Sequence, residues 1–307
     1  MGLFIASINS GSNGNCYYVG NSEEAILVDA GISLKETEKR MSRLGLDLTK
    51  VKAIFISHEH SDHITGLPGL SKKYQLPVYI TAATLKGCNL PVEEHLVFTF
   101  QKDHPVNIGS LSVNAFSKTH DAADPHSFVV SQAGLRIGVM TDIGNCCAEV
   151  VKHFSSCQAV FLESNYCEDM LANGRYPYFL KKRISGGQGH LSNREALDLF
   201  TRHRSQSLTH LILSHLSSNN NNRELVHNLF TEKANGVNIV VASRFRESEV
   251  YHIETRLVEH TESTILESII TSEPSNALVT NVVSNRKDLI RAASRKSTRP
   301  TQLSLFS

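Results

Sequence analysis

Hydrophobic positions in the first 260 residues follow two alternating patterns. Short apolar runs such as AILVDAG (25–31) and VKAIFIS (51–57) predict buried strands, because they are continuous and are followed by turn-forming or polar residues. The segment SLKETEKRMSRLG (33–45), which lies between them, is typical of a helix. Strands interleaved with helices in this way predict a layered α/β sandwich.

The same alternation continues toward residue 243. Two segments, NREALDLFTRH (193–203) and NRELVHNLFTEKA (222–234), carry apolar residues at helical spacing, and each begins with an Asn that can cap the first turn. A further helix is predicted at 64–75. The remaining predicted strands are 77–81, 111–118, 126–132, 135–142, 158–164, 210–215 and 238–243.

Periodicity fades near residue 260, and this divides the 307-residue chain into a catalytic domain at 1–260 and a polar, partly basic tail at 261–307. Within the tail, segment 285–299 carries six basic residues against one acid. That excess fits either a solvated linker or contact with a nucleic-acid backbone. The net charge of the whole chain is +1, so the overall charge does not indicate a nucleic-acid or membrane partner.

Targeting signals are lacking in the sequence. The first twenty residues have no basic segment and only a short apolar run, and no stretch approaches the ~20 apolar residues of a membrane-spanning helix. The six cysteines show no CxxC spacing, which favours reduced thiols. We therefore expect a cytoplasmic protein.

The strongest chemical signal is SHEHSDH (57–63), which directly follows a predicted buried strand. It supplies His58, His60, Asp62 and His63 within six residues. Imidazole nitrogen and carboxylate oxygen are ligands for borderline divalent metals, and one rigid loop can preorganise them. The spacing fits an irregular loop better than a helix face, so we predict a metal site.

This motif resembles the HxHxDH signature of the metallo-β-lactamase superfamily, whose further elements follow in order. Asp29 matches the strand-Asp-Gly element, and His120, Asp142 and His215 match the later ligand positions. The resemblance implies a four-layer αβ/βα sandwich and two divalent metal ions, zinc or manganese. It implies that His58, His60 and His120 hold one ion, that Asp62, His63 and His215 hold the other, and that Asp142 bridges them.

Further motifs are similar to the nuclease branch of the superfamily, and above all to its compact YycJ/WalJ-type exonuclease group. They are SGSNGN (10–15), THDAADP (119–125), ESN (163–165) and GHLSN (189–193). The resemblance implies 5′-to-3′ exonuclease action on double-stranded DNA and a role in mismatch repair. It implies catalytic roles for Asp62, Asp142 and His190, and substrate contacts by Ser10, Ser12, Asn13, Asn15, Glu163 and His190. SGSNGN is also compatible with a simple hairpin turn.

The sequence QLSLF near the C-terminus is similar to the peptide with which bacterial proteins bind the replication sliding clamp. Such peptides bind in extended form, with apolar anchors in a pocket. The predicted clamp-binding residues are Gln302, Leu303, Ser304, Leu305 and Phe306. An apolar end without a partner is the alternative interpretation.

Two other functions remain open at this stage. The same scaffold could carry a ribonuclease or a small-molecule ester or thioester hydrolase. A non-catalytic, clamp-bound adaptor is the second alternative, although a complete ligand set argues against it.

Overall fold

A computed structural model describes residues 2–254. These residues form two sheets with helices on their outer faces and two short 3-10 helices. The strands are β1 (Gly2–Asn9), β2 (Cys16–Gly20), β3 (Ala25–Val28), β4 (Val51–Phe55), β5 (Val78–Tyr79), β6 (Val97–Phe98), β7 (Val106–Ile108), β8 (Leu111–Ser117), β9 (His126–Gln132), β10 (Leu135–Met140), β11 (Ala159–Glu163), β12 (His210–Ser214), β13 (Asn238–Val241) and β14 (Tyr251–Glu254). The helices are α1 (Leu34–Arg43), α2 (Ser61–Ile64), α3 (Leu67–Tyr74), α4 (Ala82–Cys88), α5 (Ala148–Phe154), α6 (Glu168–Asn173), α7 (Tyr178–Ser185), α8 (Asn193–His203) and α9 (Arg223–Thr231).

The two sheets have the same plan. The first has the order β14-β1-β2-β3-β4-β5-β6, and the second has the order β13-β12-β11-β10-β9-β8-β7. From β14 in the first sheet and from β7 in the second, three antiparallel pairings are followed by three parallel ones. Loops at the carboxyl ends of parallel strands are where α/β folds usually bind ligands, and SHEHSDH, Asp142, ESN and His215 lie at or just after the ends of strands with parallel partners, namely β4, β10, β11 and β12.

Three apolar cores hold the layers together. The inner core lies between the sheets and includes Tyr17, Phe55, Phe128 and Phe161, all buried. Helices α1 and α3 cover the outer face of the first sheet, whereas α5, α8 and α9 cover that of the second. The predicted four-layer αβ/βα sandwich is confirmed.

Local boundaries differ from the sequence prediction in two places. The helix predicted at 64–75 is interrupted, and α3 begins only after Gly66. A Cβ on Gly66 would lie 1.9 Å from the carbonyl oxygen of Ile32, so only glycine allows this approach. The first cap prediction was off by one residue, because Ser192 rather than Asn193 caps α8.

Strands β1 and β2, which the pattern did not predict, form a hairpin around SGSNGN. All six cysteines are free thiols, as predicted. Among residues 2–254, none of the helices combines the length and apolarity needed to cross a bilayer. The domain boundary near 260 and the peptide Gln302–Phe306 lie outside the described residues.

The aromatic packing between the sheets yields a stability prediction. The Phe128 ring is fully buried, with its centroid 5.7 Å from Phe55 and 5.4 Å from Phe100. We expect Phe128→Ala to lower the free energy of unfolding by about 3–5 kcal/mol, because it leaves a cavity between two sheets. Urea denaturation at fixed metal concentration measures this change.

The matched control is Phe179→Ala, since that ring is 74% exposed. It should change the free energy of unfolding by no more than about 0.5 kcal/mol. Equal effects of the two substitutions would contradict the assignment of the core.

Candidate metal centre

The loop that carries SHEHSDH leaves the end of β4 and is fixed by main-chain hydrogen bonds. The Asn15 N–H donates to the Asp62 carbonyl at 2.7 Å, and the Ala30 N–H donates to the His63 carbonyl at 2.8 Å. Gly31 packs so closely that a Cβ there would lie 1.7 Å from the Asp62 carbonyl oxygen. The loop is therefore held between the β1–β2 hairpin and the turn after β3.

Three imidazoles form the first donor group. His58 Nε2 lies 3.0 Å from His60 Nδ1, which lies 3.3 Å from His120 Nε2. The opposite ring nitrogens of two of these residues have other partners. His58 Nδ1 contacts the Ser57 hydroxyl at 2.9 Å, and His120 Nδ1 donates to the Gly189 carbonyl at 2.8 Å. These contacts leave the converging nitrogens as lone-pair donors.

A second group combines one carboxylate with two imidazoles. Asp62 Oδ2 lies 3.6 Å from His63 Nε2 and 3.4 Å from His215 Nε2. The His63 Nδ1–H donates to the buried Asp29 carboxyl at 2.7 Å, which fixes the ring with Nε2 toward the group. Asp29 thus lies beside the site.

Asp142 lies between the two groups. Its Oδ2 is 3.2 Å from His63 Nε2, and its Oδ1 is 3.9 Å from His120 Nε2 and 3.3 Å from His215 Nδ1. Although Oδ2 is close to His63, it is not aligned for a hydrogen bond, and within residues 2–254 this buried oxygen has no hydrogen-bond partner. An unsatisfied buried carboxylate among histidines fits a bound cation.

Three residues of this region have left-handed backbone conformations. Asp29, Asp142 and His215 have φ values of 62°, 54° and 56°, and each lies within two residues of the end of a strand. Non-glycine residues rarely adopt this conformation, which the surrounding structure must therefore enforce. Each turn aims its side chain across the site instead of continuing along the strand.

The pKa shifts divide the histidines into two kinds. Burial lowers the pKa of His58 well below its usual range and lowers the pKa of His120 to about 4, so both are neutral. Burial also disfavours the charged form of His63, but the carboxylates of Asp142, Asp29 and Asp62 outweigh it and raise the pKa of His63 to about 10. The carboxylates likewise raise the pKa of His215, chiefly through Asp142.

The buried carboxylate of Glu163 lies beneath the site and contacts four groups around it. Its carboxylate accepts hydrogen bonds from the N–H groups of Ile143 and Leu191 at 2.7 and 3.1 Å. It also contacts Nδ1 of His190 at 2.8 Å and Nδ1 of His215 at 3.0 Å. Although burial opposes ionisation, His190 and these hydrogen bonds lower the pKa of Glu163 to about 2.

A cavity of about 340 Å³ opens above the donor groups. The structure brings all seven predicted metal ligands together at its floor. Of the predicted substrate contacts, Ser12 and His190 line the cavity, and Asn13 is exposed beside Arg244, whose carbonyl its side chain contacts at 2.9 Å.

The other three predicted substrate contacts, Ser10, Asn15 and Glu163, are buried beneath the surface. The Ser10 hydroxyl accepts the His215 N–H at 2.8 Å, and the Asn15 amide lies 3.1 Å from both Asp62 Oδ2 and His63 Nε2. Their burial favours positioning of the ligands over direct contact with substrate.

Sequence reasoning missed several residues of the site. The Ser57 hydroxyl joins Asp29 to His58, with a contact of 2.9 Å to each, and its position at the start of SHEHSDH could have indicated this role. Lys118 is buried nearby and donates to the Thr141 carbonyl at 2.6 Å, with no signal in the sequence. Helix α7 at the cavity rim was not predicted either.

The start of α8 is closed by a capping box, in which the Ser192 hydroxyl accepts the Glu195 N–H and the Glu195 carboxylate accepts the Ser192 N–H. His126 starts β9 and is not among the clustered donors of residues 2–254. Its main-chain N–H donates to the Ser57 carbonyl at 3.0 Å.

Comparison with known proteins adds three findings. The model of the beta-lactamase superfamily domain matches residues 24–215. Exodeoxyribonuclease YycJ of Bacillus anthracis is 35% identical over 246 residues, which cover 77% of this chain and 92% of the relative. Exodeoxyribonuclease WalJ of Streptococcus pneumoniae is 28% identical over 232 residues, which cover 74% and 86%.

Among solved structures, the metallo-β-lactamase fold protein YhfI of Bacillus subtilis superposes with a TM-score of 0.63. It is 16% identical and covers 82% of this chain and 100% of its own. At that identity the likeness concerns the fold alone.

The raised pKa of His63 predicts that metal binding depends on pH. In the metal-free protein this pKa is about 10, above its ordinary 6.5, so the proton is held up to high pH and a cation must displace it. The apparent association constant for the Mn²⁺ ion held by Asp62, His63 and His215 should therefore rise at least about tenfold per pH unit between about pH 7 and 9, because the raised pKa of His215 means that its proton must be displaced as well. Electron paramagnetic resonance of free Mn²⁺ measures it.

The exposed His203 provides the control, because His203→Ala should leave this slope unchanged. An association constant that is independent of pH would show that the His63 proton does not compete with the cation.

Proposed function

The chain belongs to the metallo-β-lactamase superfamily, within which it groups with the YycJ and WalJ exodeoxyribonucleases, and we propose that it hydrolyses DNA as a metal-dependent exonuclease. The arrangement that carries this proposal is the pair of donor groups joined by Asp142 beneath an open cavity. A cavity that opens onto buried metal ligands suits a phosphodiester reached from solvent.

The donor set supports two divalent ions. His58, His60 and His120 would hold one, and the second would lie among Asp62, His63 and His215. Asp142, which lies between the two groups, would be shared by them. The many imidazoles suit zinc, whereas manganese remains compatible because no thiolate takes part. When bound, such a pair supplies charge neutralisation at the phosphate and a nucleophile from water at neutral pH.

His190 and Glu163 form the proton-transferring pair of this proposal. The contact between Glu163 and His190 Nδ1 holds the ring, and His190 Nε2 has no hydrogen bond within residues 2–254. The His190 side chain is 22% exposed and lines the cavity. When the ring is protonated at both nitrogens, Nε2–H can donate from this position to the leaving oxygen or to the phosphate.

Asp62 is the ligand carboxylate nearest to solvent. Its side chain is 19% exposed and lines the cavity, whereas that of Asp142 is 2% exposed. Asn15 and His215 hold its Oδ2, at 3.1 and 3.4 Å. Asp62 is therefore placed to accept a proton from an entering water, and Asp142 to act as a ligand.

DNA is favoured over RNA as substrate by the extent of the matches. The two exodeoxyribonucleases align over about three quarters of this chain, whereas ribonuclease J 1 of Streptococcus pyogenes aligns over 38%. The 5′-to-3′ direction, the double-stranded substrate and the role in mismatch repair are further parts of the proposal and rest on the resemblance to this group. Duplexes labelled separately at each 5′ end, with single-stranded DNA and RNA as comparisons, distinguish them.

We predict different consequences for the two kinds of site residue. Asp142→Asn should abolish cleavage and lower the bound metal, because it weakens the bridging ligand. His190→Ala should lower kcat by about 10²–10⁴-fold and leave metal content unchanged, because it removes only a proton donor. Metal analysis and cleavage of end-labelled duplex with added Mn²⁺ or Zn²⁺ measure both effects.

Two results would contradict this assignment. Cleavage by a metal-free preparation would exclude the metal-dependent mechanism. Equal loss of metal in both variants would show that His190 is a ligand. His126→Gln, which changes a histidine outside the donor groups, is the matched control and should retain metal.

We further propose that Gln302–Phe306 tethers the enzyme to the replication sliding clamp. The order of Gln302, Leu303, Ser304, Leu305 and Phe306 supports this, and a tether raises the local concentration of enzyme near DNA. Deletion of residues 302–307 should abolish binding to purified clamp and leave cleavage of short free duplexes intact. Surface plasmon resonance measures the binding, and unchanged affinity would overturn the tether.

A further inference from the structure

Helix α7 forms one wall of the cavity and is unusually exposed. Leu180, Arg183 and Ile184 line the cavity, yet none of the eight residues of the helix is buried. The helix is held by polar contacts, since Lys181 Nζ donates to the Ala172 carbonyl at 2.6 Å and Arg183 Nε pairs with Asp121. These contacts, together with the partly buried Leu180 and Ile184, keep α7 at the rim.

The first turn of α7 presents two aromatic rings to solvent. Tyr178 is 78% exposed and Phe179 is 74% exposed. Exposed neighbouring aromatic side chains contribute nothing to a core and often mark a binding surface. The same helix carries Lys181, Lys182 and Arg183 and no acidic residue.

We propose that Tyr178 and Phe179 form a stacking platform for unpaired bases of the DNA strand that is being cut. This inference rests on the proposed exonuclease function and adds that the site binds the cleaved strand in unpaired form. Aromatic rings bind bases by stacking, in a manner that tolerates any sequence. An exonuclease that degrades DNA of any sequence needs this tolerance.

The dimensions of the site indicate why bases must unpair. A cavity of about 340 Å³ above the donor groups is small beside a duplex, so we expect the end of a single strand to enter it. Phe179 and Arg183 are four residues apart, so they share one face of α7 about 6 Å apart along its axis. Bases on the rings would thus leave their phosphates near the Lys182 and Arg183 cations, and the next phosphodiester near His190.

A second copy of the chain is the competing occupant of this face. A symmetric contact would place α7 against its own copy and would bring together Lys181, Lys182 and Arg183 of both chains. Like charges at such a contact oppose it, whereas the same charges attract DNA phosphates. The charge of α7 therefore favours DNA.

The test is a thermodynamic cycle between protein and substrate. Wild type and the Tyr178→Ala/Phe179→Ala variant are compared on two duplexes, one intact and one whose terminal two nucleotides on the cleaved strand lack bases. Because each comparison uses one duplex, the energy of unpairing cancels. We expect the variant to lose about 5- to 150-fold in kcat/KM on the intact duplex and almost nothing on the abasic one.

Several controls isolate stacking. The conservative variant Tyr178→Phe/Phe179→Tyr should retain wild-type rates, because it keeps both rings. Phe98→Ala changes another exposed ring, on β6, and should leave the rates on both duplexes unchanged. Bound metal should be the same in all variants.

Each remaining outcome overturns the platform. Equal losses on intact and abasic duplexes would show that the rings do not contact bases. If equal losses are accompanied by conversion of a wild-type dimer to a variant monomer in analytical ultracentrifugation, α7 contacts a second copy of the chain instead. If the wild-type protein does not cleave DNA, the exonuclease function is rejected together with the platform. If it cleaves DNA but the variant loses the same factor on both duplexes, the platform alone is rejected.

Discussion

The site depends on the burial of three carboxyl groups, those of Asp29, Asp142 and Glu163, where two sheets meet. Burial of a carboxylate costs free energy unless hydrogen bonds or positive charges replace its contacts with water. The protein meets this constraint with backbone N–H groups at Glu163 and with imidazoles, of which His63 contacts both Asp29 and Asp142. The compensation at Asp142 is incomplete, and there a cation fits.

The constraint extends into the backbone. The left-handed conformations at Asp29, Asp142 and His215 place strained residues where the strands end, and the surrounding main-chain and side-chain contacts hold them there. The buried serines and asparagines at positions 10, 15 and 57 serve the same purpose, because each bonds to a ligand or to its orienting residue. The floor of the site is therefore preorganised before any cation or substrate arrives.

The rim differs from the floor in its physical character. Helix α7 has no buried residue, carries three cations and exposes two rings, whereas five of the seven candidate ligands below it are buried. A rigid floor suits a metal centre that must keep its geometry through each cycle of hydrolysis. An exposed aromatic and basic rim suits a substrate of changing sequence, because stacking and phosphate contacts are independent of base identity.

The sequence by itself determined the alternation of strands and helices and, through the order of its motifs, the family, and it predicted the donors at 58–63 and the later candidate ligands. These features are local, since neighbours in the chain share one strand, one turn or one loop. Only the tertiary structure decided that Glu163 lies buried under His190 and His215, that Ser10 supports His215, and that α7 borders the cavity. Such contacts join residues up to 205 positions apart, so they depend on how two separately paired sheets pack, which no local pattern encodes.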